Sequence, residues 1–214
     1  MIEIKNISKS FGSHTIFNEF SMKVDNNIFA VFTGESGCGK TTLLNMIGGI
    51  EPVDSGEIIV DNINITKTRN LKNYYLKKVG FLFQNFALVE HKTVKENLEF
   101  IMKNSRTDIT ISEALSKVGM EGTEEQKVFS LSGGEQQRIA LARLILKQCD
   151  LILADEPTGS LDRKNAEQVL RILKSFINNG KTVIMVTHDP SIIDDSMVKY
   201  ELKKHLVRRK QSGI

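Results

Sequence analysis

Residues 28–47 read Ile28-Phe29-Ala30-Val31-Phe32-Thr33-Gly34-Glu35-Ser36-Gly37-Cys38-Gly39-Lys40-Thr41-Thr42-Leu43-Leu44-Asn45-Met46-Ile47. An apolar, β-branched run, a glycine-rich loop and an apolar helical run follow one another directly, which predicts a buried strand, a tight turn and a helix. The loop matches G-x-x-x-x-G-K-[ST], a phosphate-binding pattern whose required context is this strand and this helix. Glycines let successive backbone N–H groups converge on phosphate oxygens, and the helix adds the positive end of its dipole. Gly34, Glu35, Ser36, Gly37, Cys38, Gly39, Lys40, Thr41 and Thr42 are therefore the expected nucleotide ligands. Lys40 is placed to reach the β- and γ-phosphates, and the Thr41 hydroxyl to ligate Mg²⁺. Cys38 reads as a small loop residue, because nothing in the sequence sets a base beside it.

Outward from this stretch the pattern repeats. Short strand-like runs recur at Ile2 to Ile7, Glu57 to Val60, Val79 to Phe83, Leu151 to Ala154 and Val183 to Thr187. Ala166, Val169, Leu170, Leu173, Phe176 and Ile177 fall on one helical face, stopped by Asn178-Asn179-Gly180. Strands alternating with helices predict an α/β fold with buried parallel strands. From about Asn85 to Lys147 the periodicity is helical without a convincing buried strand. The expected organisation is one domain, with a helical lobe at 85–147 inserted between core segments 1–84 and 148–214. The run Leu151-Ile152-Leu153-Ala154-Asp155-Glu156 ends a strand in two carboxylates, where an α/β sheet presents its ligand-facing edge. Alone, such a pair reads most simply as a solvated turn. Beside a P-loop, Asp155 becomes the expected Mg²⁺ ligand and Glu156 the expected general base.

Composition sets outer limits. The 214 residues are 40% hydrophobic and 26% charged, which excludes collagen-like, disordered and membrane-spanning classes. A net charge of +3 is too small to imply nucleic acid. Cys38 and Cys149 lack metal-ligand spacing and suit a reducing compartment. The amino terminus has no apolar region of the signal-peptide kind, so a cytosolic location is expected. The basic positions Lys199, Lys203, Lys204, Arg208, Arg209 and Lys210 read as a solvated tail, the alternative being contact with anionic headgroups or a membrane partner.

Many NTPases carry a P-loop and a strand-terminal Asp-Glu, so the class is decided by what lies between. Leu131-Ser132-Gly133-Gly134-Glu135-Gln136-Gln137-Arg138 opens a helix with a serine and two glycines, a second anion-binding end. At these residues the chain resembles the ATP-binding cassette (ABC) ATPases, whose signature reads L-S-G-G-[EQ]. The resemblance implies a P-loop NTPase (RecA-like) core with an antiparallel β subdomain and an inserted helical lobe. It also implies hydrolysis of ATP with Mg²⁺.

Several residues then acquire roles that they would not have alone. Phe11, in Ser10-Phe11-Gly12, matches the aromatic position that stacks on adenine; without the resemblance it reads as a core or turn aromatic. Gln84 matches the Q-loop glutamine, which contacts Mg²⁺ and the attacking water. Ser160-Leu161-Asp162 matches the D-loop, and His188 the switch histidine at the γ-phosphate. The implied catalytic set is Glu156, His188, Gln84 and Lys40, and the implied metal set Thr41, Gln84 and Asp155. Two copies of such a cassette meet head to tail, so Ser132, Gly133, Gly134, Glu135 and Asp162 are expected to serve the opposing subunit's ATP in a C2 homodimer. The run from Asp155 to Asp162 is similar to the branch of lipoprotein-releasing, macrolide-exporting and cell-division ATPases, and Phe81 to Leu88 with Thr93 to Asn97 to bacteriocin-export ATPases. That implies a separate transmembrane permease, location on the cytoplasmic face of the membrane, and export of a peptide, lipid-linked or hydrophobic compound. The alternative is an ATPase driving a mechanotransmitting membrane complex with no cargo. Val89-Glu90-His91 departs from the branch, which commonly has a proline there. Gln84 and Leu131 stand 47 positions apart, too close for the long coiled coil of chromosome-organising relatives.

Overall fold

The computed structural model describes residues 1–159 and 161–203. Ser160 and the basic positions Lys204, Arg208, Arg209 and Lys210 lie outside the described residues. The chain begins with strands β1 (Ile2–Phe11), β2 (His14–Val24) and β3 (Phe29–Thr33), helix α1 (Lys40–Ile47), strands β4 (Ser55–Val60) and β5 (Ile63–Asn64), and helix α2 (Thr68–Lys77). Strand β6 (Val79–Leu82) leads into helices α3 (Val94–Glu99), α4 (Ile111–Lys117) and α5 (Gly133–Leu146). Strand β7 (Leu151–Asp155), helix α6 (Arg163–Asn178) and strands β8 (Thr182–Val186) and β9 (Met197–Glu201) follow.

The strands form two sheets, one antiparallel in the order β2-β1-β4-β5 and one in the order β6-β7-β8-β3-β9. All four pairings of the second sheet are parallel. Its inner strands read as unbroken apolar runs because both faces are covered. Phe29, Val31, Ile152, Ala154, Val183 and Met185 point to one core, shared with α5 and α6. Ala30, Phe32, Leu151, Leu153, Ile184 and Val186 point to the other, filled by α1 and the antiparallel sheet. The period of two within each strand thus divides one sheet between two cores. The effect is to suspend the loops after β3 and β7 at the same carboxyl edge, with only β8 between their strands.

Periodicity did not reveal three strands, the two-residue β5, the edge strand β9 and the long β2. The register of β2 with β1 shifts at three points, and Asn6 and Glu19 sit at φ 46° and 51°. Each bulge resets which face a side chain meets, so Phe17 and Val24 are buried out of phase with each other. The expected strands otherwise appear within a few residues of their predicted ends.

Helices α3, α4 and α5 all begin in a capping box. Thr93, Thr110 and Ser132 accept the N–H of Glu96, Glu113 and Glu135, whose carboxylates return to the cap residue's N–H. The S/T-x-x-E spacing satisfies two otherwise orphaned donors at each helix start.

Candidate functional site

The loop after β3 folds around its own lysine. Lys40 is 8% exposed, and its Nζ donates to the carbonyls of Gly34 at 2.9 Å and Glu35 at 2.8 Å. Two glycines are obligatory. At Gly34, φ 145°, a Cβ would lie 2.3 Å from the carbonyl oxygen of Leu202; at Gly39, φ 97°, it would strike Ile16 at 2.5 Å and Phe17 at 2.8 Å. The unread strand β2 therefore forms the floor on which the loop rests. Gly39 caps α1 without any side-chain bond, and the first turn holds no acid. Its backbone donors and the positive end of the helix are thus free of local anionic competition.

The carboxyl edge brings distant residues together. Thr41 Oγ1 donates to Asp155 Oδ1 at 3.0 Å, across 114 positions of sequence. Burial pushes the Asp155 carboxyl up from its ordinary value, the Thr41 hydroxyl opposes, and the neighbouring Glu156 charge adds to the rise. Glu156 leaves the strand at φ 47°, a left-handed conformation costly to a residue with a Cβ. Its N–H donates to Val186 O at 3.0 Å. Its Oε2 accepts the His188 N–H at 3.3 Å and lies 2.8 Å from His188 Nδ1, the geometry of an Nδ1–H donating to a carboxylate. The strained turn aims the carboxylate at the histidine instead of at solvent.

These groups share one cleft of about 760 Å³, lined by Phe11, Lys40, Thr41, Gln84, Glu156 and His188 together with Ser36, Gly37, Gly39, Thr42, His14 and Ile16. Asp155 adjoins it through Thr41. Gln84 stands exposed at the rim. Phe86 and Ala87 follow it at φ 60° and 49°, held by Arg143 of α5, which donates to their carbonyls at 2.7 and 2.5 Å.

Ser132, Gly133, Gly134, Glu135 and Asp162 do not line this cleft. They form a second constellation. Ser132 Oγ donates to Glu135 Oε2 at 2.6 Å, and Asp162 caps α6 by accepting the Asn165 N–H at 2.9 Å. Asn165 joins the two ends, accepting from Arg138 at 2.7 Å and donating to Asp162 at 2.6 Å. The buried Gln137 donates to Pro157 O at 2.9 Å, tying α5 to the loop that carries Glu156. His14, Ile16, Arg143 and Asn165 escaped the sequence reading because each gains its place only through a tertiary partner. Only Arg143 lay within a run whose helical period was visible.

Comparison with known proteins bears on this arrangement. Residues 17–159 match the family model described as ABC transporter. The chain is 39% identical over 197 residues to the spermidine/putrescine import ATP-binding protein PotA of Haemophilus influenzae, covering 88% of this chain and 51% of that one. It is 36% identical over 210 residues to the macrolide export ATP-binding/permease protein MacB of Campylobacter jejuni, covering 95% of this chain and 33% of that one. It therefore spans about half or less of the length of these curated relatives. With the uncharacterized ABC transporter ATP-binding protein YvrO of Bacillus subtilis it shares 38% identity over 203 residues, 90% of this chain and 89% of that one. Among solved structures, the dimeric MJ0796 bacterial ABC transporter cassette matches with a TM-score of 0.82 and 31% identity over 94% of each chain. A dimeric post-hydrolysis state of that cassette bound to ADP and Pi matches with a TM-score of 0.79 and 30% identity, over 95% of this chain and 97% of that one.

Proposed function

The chain belongs to the ABC transporter family and is an ATPase by class, and from that premise we propose that it is the subunit whose ATP binding and hydrolysis drive a separate membrane permease. The observation that carries the reading is the meeting of Lys40, Thr41, Glu156 and His188 on one cleft. Phe11 offers a ring to the adenine. The P-loop N–H groups and Lys40 hold the phosphates, the ammonium exchanging its loop carbonyls for phosphate oxygens and stabilising charge on the γ-phosphoryl group as it transfers.

The Thr41 hydroxyl and the Asp155 carboxylate present hard oxygens 3.0 Å apart, and no cluster of three or more His, Cys, Asp or Glu side chains able to hold a metal occurs among the described residues. That donor set suits Mg²⁺, which takes few protein ligands and completes its shell with water and phosphate oxygens. When bound, Mg²⁺ neutralises charge on the β- and γ-phosphates. Glu156 accepts the proton of the attacking water. His188 donates its Nδ1–H to that carboxylate and, when Nε2 is protonated as well, has a second N–H to donate to the γ-phosphate, while Gln84 orients the water and completes the metal set.

Ser132, Gly133, Gly134, Glu135 and Asp162 are assigned to the cleft of a second copy, in a C2 dimer that closes on ATP. The similarity to dimeric MJ0796 structures supports this assignment, as does the absence of these residues from the chain's own cleft. In this reading 85–147 is a helical lobe set in a core of 1–84 and 148–214, and Arg143 links Gln84 to the signature helix. No helix among the described residues is long and apolar enough to cross a membrane, and the subunit is placed on the cytoplasmic face, against its permease. Export, of a peptide or hydrophobic compound, is the proposed direction. It is supported by the similarity to MacB over 95% of this chain; the similarity to PotA supports import. Purified cassette and permease reconstituted in vesicles, assayed in both directions, decide between them.

The test of the chemistry is Glu156→Gln. The variant is expected to bind ATP as tightly as the natural chain, to lose turnover by about two to four orders of magnitude, and to accumulate as an ATP-bound dimer in light scattering. Hydrolysis at the natural rate would remove Glu156 from the role of general base.

A further inference from the structure

Strand β1 alternates Ile2, Ile4, Ile7 and Lys9 toward the core, so a charged residue occupies a position whose register belongs to isoleucine. Lys9 is 5% exposed. A buried ammonium needs partners on every side, and this one has them. Its Nζ lies 2.5 Å from Glu51 Oε1 and 3.5 Å from Asp54 Oδ1, and donates to the Pro52 carbonyl at 2.8 Å. Asp54 also accepts the N–H of Ser10 at 2.7 Å, fixing the residue between Lys9 and Phe11. Glu51 beside it holds the Lys9 pKa above its ordinary value, so the group stays charged despite burial.

The remaining side of the ammonium meets an aromatic ring. Nζ stands 4.9 Å from the centroid of Phe11, within the range of a cation–π contact. Phe11 is 49% exposed and lines the cleft, whereas Lys9 does not. The buried cation thus stands over the ring outside the cleft lining, while the exposed part of Phe11 meets the cleft. A ring polarised from behind presents an electron-poorer face in front, and that face favours stacking with an electron-rich purine.

We propose that Lys9 is a positioning residue for the nucleotide base, clamped by Glu51, Asp54 and Pro52 so that it supports the far face of Phe11 while adenine stacks on the near one. This rests on the reading of Phe11 as the base-stacking surface. Because two carboxylates, Glu51 and Asp54, more than offset its charge, Lys9 contributes little attraction for the phosphates, and its effect is confined to the base.

The experiment compares Mg-ATP with Mg-ribose 5′-triphosphate, which lacks the base, by equilibrium titration of the full chain. The double variant Lys9→Met/Glu51→Gln removes the cation together with its nearest acid and keeps the net charge. It is expected to bind ATP more weakly by at most about two- to fivefold, a ceiling set by the whole of a partly exposed cation–π contact, with ribose triphosphate binding unchanged; Lys9→Arg is expected to retain ATP affinity. Equal weakening of both ligands would reduce Lys9 to a scaffold residue and overturn the proposal, as would no weakening of either. In a Phe11→Leu background the double variant is expected to have no further effect on ATP, and a persisting one overturns the proposal even if the melting temperature has fallen. If the natural chain binds ribose triphosphate as tightly as ATP, the base-stacking reading of Phe11 fails and takes this proposal with it; the other negative outcomes leave that reading standing.

Discussion

Two helix starts in this chain carry glycines in a phosphate-binding pattern, and they are built in opposite ways. At α1 the cap is Gly39 in a left-handed conformation, no side chain caps the helix, the first turn has no acid, and the first residue is a lysine. At α5 the cap is Ser132 in an extended conformation, its hydroxyl and the Glu135 carboxylate close a capping box, and the first turn holds that acid. The first end leaves its donors and a cation for an incoming anion. The second has already satisfied part of its need internally and adds a negative charge of its own. An anion meeting α1 is attracted and held; one meeting α5 alone is offered only the donors left over. The contrast fits the proposed division of labour, in which α1 holds the nucleotide of its own chain and α5 meets that of a second copy.

The contrast breaks most severely at Lys40. Lys40→Met is expected to weaken ATP binding by about a hundredfold, the loss of charge-assisted bonds to phosphate, in a titration of the isolated chain. Affinity close to that of the natural chain would mean that the glycine cradle suffices and that α1 differs from α5 only in its caps. The complementary variant is Gly133→Asp. A Cβ at Gly133 meets no atom within 4 Å, and an acid in the first helical turn suits the dipole, so the melting temperature should hold. Binding of ATP to the single chain should stay within about twofold, while steady-state hydrolysis falls by about a hundredfold, because the carboxylate would confront the γ-phosphate across the dimer. A parallel loss of monomer binding would show that α5 acts within its own chain.

How far these two ends were legible in advance follows from how local each signal is. The strand-loop-helix at 28–47 and the Ser-Gly-Gly opening of α5 are contiguous, and their fold follows from residue type and spacing. Asp155, Glu156 and His188 were visible as strand-terminal residues, since β7 and β8 are buried on both faces and read as apolar runs. What joins them was not visible. The Thr41–Asp155 bond spans 114 positions, and the Glu156–His188 contact depends on a left-handed backbone at a residue type that seldom adopts it. Strand β2 stayed hidden because bulges scramble its alternation, and with it the reason that Gly39 tolerates no side chain. Nothing local in the sequence marks Lys9, whose partners Glu51 and Asp54 are supplied by the approach to β4.

The finest test of the comparison is pH. The Ser132 hydroxyl and then its backbone N–H hold the Glu135 carboxyl below the usual carboxylate range. At the corresponding position of α3, the Thr93 N–H and Lys92 bring Glu96 down to about 2. A carboxyl whose folded pKa lies below its unfolded value, about 4.3 for glutamate, adds stability that is complete above the unfolded pKa and disappears as pH falls through the folded one. Glu135→Gln keeps the reciprocal hydrogen bonds and removes only the charge. Its melting temperature should therefore fall short of the natural chain's by about 1–2 °C near neutrality, a fraction of a helix cap, and the gap should close as pH drops below about 4.3. Because α1 has no acid in its first turn, no window of this sign should attach to the P-loop end, where the raised Asp155 carboxyl beside Thr41 acts in the opposite direction. A gap that persisted unchanged into acid would mean that Glu135 stabilises α5 by shape and not by charge, and the electrostatic half of the contrast between the two ends would be lost.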